Sequence, residues 1–167
     1  MKIIYKSNSA YKDNRGLYWT SWINKDYKLI FNQDKFSISK KNVLRGLHGD
    51  NKTWKLVSCV YGEVFFAIVN FDKKSKNFLK KKTFILSQKN RKQILIPPKY
   101  LNGYLCLTKE CVFHYKLSYK GKYVDSKDQF SINWQDPILN INWPIKKPTL
   151  SKRDKKSQNI NSIFKNF

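Results

Sequence analysis

Arg45-Gly46-Leu47-His48 places one of only two histidines in the chain beside an Arg-Gly turn that opens a strand, and Lys55 follows seven residues later. An imidazole can take a proton and an ammonium can hold a negative charge. A lysine this near in sequence is expected on the neighbouring strand. The pair could therefore aim a base and a cation at one small anionic substrate.

The elements that would carry these residues read as β-structure. Leu56–Val60, Val64–Val69, Thr83–Leu86 and Gln93–Ile96 are short, apolar and rich in β-branched or aromatic residues. Tyr61-Gly62-Glu63, the polar stretch 72–77 and Pro97-Pro98 separate them as turns or strand ends, since proline cannot donate to a ladder. Gly103–Leu107 and Cys111–Leu117 resemble the two arms of a hairpin. Only the last residues, 160–167, show weakly helical spacing. Closely spaced strands with short polar turns predict an all-β fold, a sandwich or barrel.

Composition sets the bounds. The 167 residues suffice for one domain with a real core, and 41% hydrophobic with 16% aromatic content argues against disorder except at the ends. One domain over 1–167 is expected, with residues 1–30 as an N-terminal arm. No apolar run approaches the roughly 20 residues that cross a bilayer, so no membrane association is expected. The start of the chain lacks the apolar stretch of a signal peptide. Cys59, Cys106 and Cys111, an odd number without metal-ligand spacing, read as reduced core residues of a cytoplasmic protein. A net charge of +23 invites a nucleic-acid reading. The lysines, however, are spread along the whole chain among many Asn, Ile, Phe and Tyr, a bias that disfavours a dedicated nucleic-acid surface. A basic cleft for a phosphorylated small molecule needs only a few of them.

In order along the chain stand Asp13-x-Arg15-Gly16, Gln33-Asp34 with Ser37-x-Ser39, Val43-Leu44-Arg45-Gly46-Leu47-His48, Lys55-Leu56-Val57 with Gly62-Glu63-Val64, Ile96-Pro97, and Tyr115-Lys116. Trp134-x-Asp136-Pro137, Ile141-x-Trp143-Pro144 and Leu150-Ser151-x-Arg153-Asp154 complete the series. Over residues 12–154 this series resembles the dTDP-4-dehydrorhamnose 3,5-epimerase family of cupin-type sugar-nucleotide epimerases. The stretch His48-Gly49-Asp50-x-Lys52-Thr53-Trp54-Lys55 is more similar to that family's GDP-heptose epimerase branch.

The resemblance implies a jelly roll, usually a homodimer in which an N-terminal segment reaches the neighbour's pocket. It implies epimerisation beside the ketone of a nucleotide-diphosphate 4-keto sugar, at C3, C5 or both, in cell-surface polysaccharide synthesis, with no cofactor or metal required. His48 would be the base and Asp154 the carboxylate that orients it. Lys55 would stabilise the enolate, and Tyr115 would be the acid on the opposite face. Arg45 and Arg15 would contact the diphosphate, Arg15 in the partner's site, with Gln33, Ser39 and Arg153 as further substrate contacts. The family's second pocket histidine is here Asn102, which can bind a sugar oxygen but cannot carry a proton at neutral pH. Its acidic residue beyond the Asp-x-Arg-Gly turn is here Thr20, which leaves the nucleotide base open.

Blander readings accompany these. His114 adjoins Tyr115 and so points to the other sheet face, towards surface or an interface. Two histidines cannot supply the three-histidine set of a cupin metal site. Trp134 and Trp143 fit core or sheet-edge packing, and Glu63 a structural turn. A 3,4-ketoisomerase on the same scaffold, or a non-catalytic sugar-nucleotide or nucleic-acid binding module, are the alternative functions.

Overall fold

The computed structural model describes residues 4–164, so the end of the expected C-terminal helical stretch, 165–167, and residues 1–3 of the arm lie outside the described residues. The described residues form twelve strands: β1 (Ile4–Ser7), β2 (Tyr11–Asp13), β3 (Gly16–Tyr18), β4 (Gln33–Lys40), β5 (Leu44–Gly49), β6 (Trp54–Tyr61), β7 (Glu63–Asn70), β8 (Lys81–Ser87), β9 (Lys92–Ile96), β10 (Tyr100–Cys106), β11 (Glu110–Ser118) and β12 (Phe130–Ser131). Two one-turn helices, α1 (Lys152–Lys155) and α2 (Ile160–Ile163), follow. One five-stranded antiparallel sheet runs β1-β9-β6-β11-β4, and the other runs β12-β5-β10-β7-β8. Strands β2 and β3 form a separate hairpin. Two antiparallel sheets facing one another across a shared core make a jelly-roll sandwich.

The core follows from strand alternation. Val57 and Cys59 from β6, Ile94 and Ile96 from β9, and Phe113 from β11 meet Val64, Phe66 and Ile68 from β7 and Tyr104 from β10. Phe113 stacks on Tyr104 with ring centroids 4.4 Å apart. Burying each such side chain contributes roughly 1.5–3 kcal/mol. The three cysteines are buried free thiols, and burial pushes the Cys59 thiol up to about 12.

Two sequence expectations change. β10 and β11 do not form a hairpin: β10 pairs with β5 and β7, while β11 pairs with β4 and β6 in the other sheet. The turn after Cys106 is therefore a crossing between layers, and apolar alternation alone does not distinguish the two. Lys55 likewise lies not beside His48 but on the facing sheet, because the 50–53 turn also changes layer. Trp134 and Trp143 do pack, on one another and with Phe65, but against the outer face of the β5 sheet, not its edge.

The chain after β12 covers this outer face. Asp136, 1% exposed, accepts the backbone N–H groups of Ile138, Leu139 and Ile160. One buried carboxylate thereby pins both the 136–139 turn and the start of α2. Thr149 pairs with Val43 ahead of β5. That contact delivers residues 150–154 to the mouth of the sandwich.

Candidate active site

A cavity of about 350 Å³ opens between the two sheets, walled by Arg45, His48, Lys55, Asn102, Tyr115, Arg153 and Asp154. His48 and Arg45 come from β5 and Asn102 from β10 in one sheet, whereas Lys55 (β6) and Tyr115 (β11) come from the other. The two sets of side chains thus approach one space from opposed walls.

Arg45 and His48 are three residues apart, a spacing that would put them on opposite faces of a regular strand. They share the cavity because β5 carries one extra residue. Asn102 pairs with His48 and Tyr104 with Arg45, so two steps along β10 match three along β5. This is a β-bulge, which re-aims side chains at functional sites. Gly46, at φ +139°, absorbs the distortion, and a Cβ there would stand 2.5 Å from the Gly103 Cα. Leu47, freed from the cavity face, is fully buried in the outer core with Leu101, Ile132 and Ile141.

His48 Nε2 lies 2.6 Å from Asp154 Oδ1. The carboxylate is nearly fully buried, whereas the imidazole keeps 22% of its side-chain surface exposed to the cavity. Ser151 caps α1 by accepting the Asp154 N–H at 3.1 Å and donates its hydroxyl to Asp154 Oδ2 at 2.8 Å. Ser-x-x-Asp is a capping-box pattern legible in the sequence, and here the cap fixes the carboxylate. A carboxylate accepting the Nε2 proton leaves the lone pair on Nδ1, the arrangement of a general base.

Lys55 is 6% exposed, and its Nζ stands 3.4 Å from Asp50 Oδ2. Burial lowers the ammonium's pKa from its ordinary value, Asp50 opposes that shift, and the Arg153 charge adds slightly to it. Tyr115 packs edge-on against Phe113 at 4.9 Å. Burial, with Tyr104 nearby, pushes its phenol well above the usual tyrosine range, against a smaller pull from Arg45. Such a phenol holds its proton at neutral pH. Burial likewise lowers the Arg153 guanidinium somewhat, and its Nη1 and Nη2 point to the Gln129 side chain and the Phe130 carbonyl. Asn102 donates to the His48 carbonyl at 2.8 Å.

Three expected contacts stand elsewhere. Ser39 is buried behind the wall, accepts from Arg45 Nε at 3.0 Å and bonds the Tyr104 hydroxyl at 2.9 Å, so it acts through Arg45. Gln33 accepts from the Tyr119 hydroxyl at 3.2 Å, outside the cavity lining. Arg15 sits on the β2–β3 hairpin, 81% exposed and tied to Asp13, away from this chain's own cavity. His114 does point to the outer sheet face, yet it is not a surface residue within the chain. It is 9% exposed, stacked on Phe36 and 2.8 Å from Asp34.

Sequence reading missed Lys35, Ser37, Tyr123 and Gln129 as wall residues. Lys35 and Ser37 alternate with Gln33 and Ser39 along β4, so strand periodicity carried that signal. Tyr123 comes from the 119–129 loop, with Lys35 Nζ 3.7 Å over its ring, and no sequence pattern marks it.

The fold is a jelly roll of the cupin type, and across its cavity an imidazole–carboxylate pair faces a buried lysine and a phenol. Residues 2–162 match the family model described as dTDP-4-dehydrorhamnose 3,5-epimerase. The chain is 36% identical over 155 residues to the dTDP-4-dehydrorhamnose 3,5-epimerase of Salmonella typhimurium, covering 87% of this chain and 83% of that protein. The enzyme of that name from Methanothermobacter thermautotrophicus is 33% identical, over 81% of this chain and 76% of the other. The crystal structure of the Legionella pneumophila dTDP-6-deoxy-D-glucose-3,5-epimerase in complex with dTDP-4-keto-L-rhamnose superposes with a TM-score of 0.90 at 33% identity, covering 98% of this chain and 90% of that one. The chain belongs to the dTDP-4-dehydrorhamnose 3,5-epimerase family.

Proposed function

We propose that the protein epimerises a nucleotide-diphosphate 4-keto sugar at C3, C5 or both, by deprotonation and reprotonation beside the ketone. The observation that carries this reading is the shared cavity: His48 with Asp154 on one wall, Lys55 and Tyr115 on the other. His48 Nδ1 takes the proton α to the ketone. The Lys55 ammonium faces the enolate oxygen and stabilises its charge. Tyr115, protonated through its raised pKa, returns a proton to the opposite face of the ring, which inverts the centre. The guanidinium of Arg45, held by Ser39, and that of Arg153 suit the diphosphate oxygens. Neighbours at this sequence distance act on dTDP-linked sugars by their names, which makes a dTDP-4-keto-6-deoxyhexose the first substrate to offer. The Asp50-x-Lys52-Thr53-Trp54 stretch keeps a GDP-linked heptose as the second. The reaction belongs to polysaccharide precursor synthesis, in the cytoplasm.

The assembly that fits is a homodimer. Tyr11, Leu17 and Tyr18 on the β2–β3 hairpin and Phe36 and Ile38 on edge strand β4 are 49–65% exposed within the chain. Arg15, aimed away from its own cavity, would contribute to the partner's. Sedimentation at micromolar concentration tests this, with a dimer expected.

Incubation with dTDP-, GDP- and CDP-linked 4-keto sugars in deuterated water, followed by mass spectrometry, tests the activity. Deuterium at C3 or C5 is expected with one of them. Absence of incorporation with all three overturns the proposal, and a product with its ketone moved to C3 favours the 3,4-ketoisomerase.

A further inference from the structure

The turn that carries the chain from β5 to β6 contains Asp50, which is 3% exposed and whose two carboxylate oxygens have different tasks. Oδ1 accepts the backbone N–H groups of Lys52 at 3.0 Å and Thr53 at 2.6 Å and so shapes the turn. Oδ2 is buried and accepts no hydrogen bond; its neighbour is the Lys55 ammonium at 3.4 Å. We propose that Asp50 is the positioning residue for Lys55, its Oδ2 anchoring the ammonium against the cavity wall and balancing its charge while the substrate is absent and while the enolate forms.

The surroundings leave this task to Asp50. The cross-strand neighbours of Lys55 are Ile96 on β9 and Leu117 on β11, both apolar. Arg153 on α1 is a like charge, and the other cavity cations, Lys35 and Arg45, add to it. Asp154 has its two oxygens committed to His48 and Ser151. His48, Tyr115 and Tyr123 complete the titratable set around the cavity. An ammonium buried without a carboxylate loses its proton readily, because desolvation disfavours the charged form. A lysine held by one carboxylate at 3.4 Å, with no competing hydrogen bond on that oxygen, remains both placed and charged.

This inference rests on the enolate-stabilising role of Lys55 proposed above, and the test separates the two. Asp50→Asn keeps an oxygen for the Lys52 and Thr53 amides and turns its NH₂ towards Lys55, so the turn persists while the negative charge disappears. Lys55 then deprotonates at lower pH, and activity is lost as pH rises through that lower value. In Asp50→Asn the alkaline limb of kcat is expected to move to lower pH, with kcat reduced about tenfold where the parent still works, the effect of one removed opposite charge. KM stays near the parent's. Asp50→Glu, which keeps the charge, restores the parent's limb.

Lysine-selective ¹⁵N NMR reads the Lys55 Nζ titration independently of turnover. A moved Nζ titration with an unmoved rate profile supports the Asp50–Lys55 pairing and overturns the role of Lys55 in the reaction. A Lys55 titration identical in parent and Asp50→Asn overturns the inference. Should Asp50→Asn fail to fold, the parent decides: an ammonium retained above neutral pH despite its burial supports the pairing, and a neutral amine at pH 7 overturns it.

Discussion

Replacing Asp154 by asparagine changes one oxygen to an NH₂ at the most constrained point of the site. In the parent, Oδ2 receives the Ser151 hydroxyl at 2.8 Å and Oδ1 faces His48 Nε2 at 2.6 Å, both nearly sealed from water. The asparagine oxygen keeps the Ser151 donor, which directs the NH₂ at Nε2. A donor there needs the lone pair on Nε2, so the imidazole proton moves to Nδ1, the nitrogen that must accept from the sugar. General-base catalysis contributes roughly 10²–10⁴-fold, so kcat should fall by about 10³, equivalent to about 4 kcal/mol of transition-state stabilisation. KM should stay within about threefold, because Arg45, proposed to hold the diphosphate, is untouched. The Ser151 cap on the Asp154 backbone N–H also remains, so the thermal midpoint should move by no more than a few degrees. Steady-state kinetics with a 4-keto sugar nucleotide, paired with a melting curve, measures all three. A kcat loss below tenfold in a fully folded variant would refute the base assignment.

Other expectations follow from single contacts. His48→Ala should abolish solvent exchange at C3 and C5 while nucleotide-diphosphate binding, read by calorimetry, persists. Gly46→Ala should unfold the site or the protein, since its Cβ would meet the Gly103 Cα at 2.5 Å in a left-handed backbone conformation; a loss above about 2 kcal/mol in urea denaturation is expected. Asp136→Ala strands three backbone N–H groups, two of them buried, and should cost about 3 kcal/mol by the same measurement without altering KM in the folded fraction.

Much of the site was legible because its chemistry sits in short, ordered motifs. Residue type and spacing point to His48 and Lys55, the resemblance to the epimerase family adds Tyr115 and Asp154, and all four line one cavity. The all-β class followed from alternation and turn residues. What alternation cannot say is which sheet a strand joins. Gly103–Leu107 and Cys111–Leu117 therefore read as one hairpin when they belong to opposite layers. The Arg45–His48 spacing was itself a clue, since three residues on one face demand the bulge that Gly46 permits. Ser39 showed as a ligand contact because its pattern matches, but its hydroxyl serves Arg45 and Tyr104. Asp50 was invisible as a partner of Lys55, because a turn aspartate ordinarily only caps its turn, as Oδ1 does here.

Acid and base on opposed walls should be separable by one substitution. Tyr115→Phe removes the proposed proton donor and leaves His48, Asp154 and Lys55 in place. In deuterated water, the ratio of deuterium incorporation to stereochemical inversion is therefore the decisive quantity. Incorporation near the parent's rate, with most product keeping its starting configuration, is the expected result. Exchange and inversion falling together, or inversion continuing unchanged, would contradict a mechanism in which the imidazole takes the proton from one face and the phenol returns it to the other.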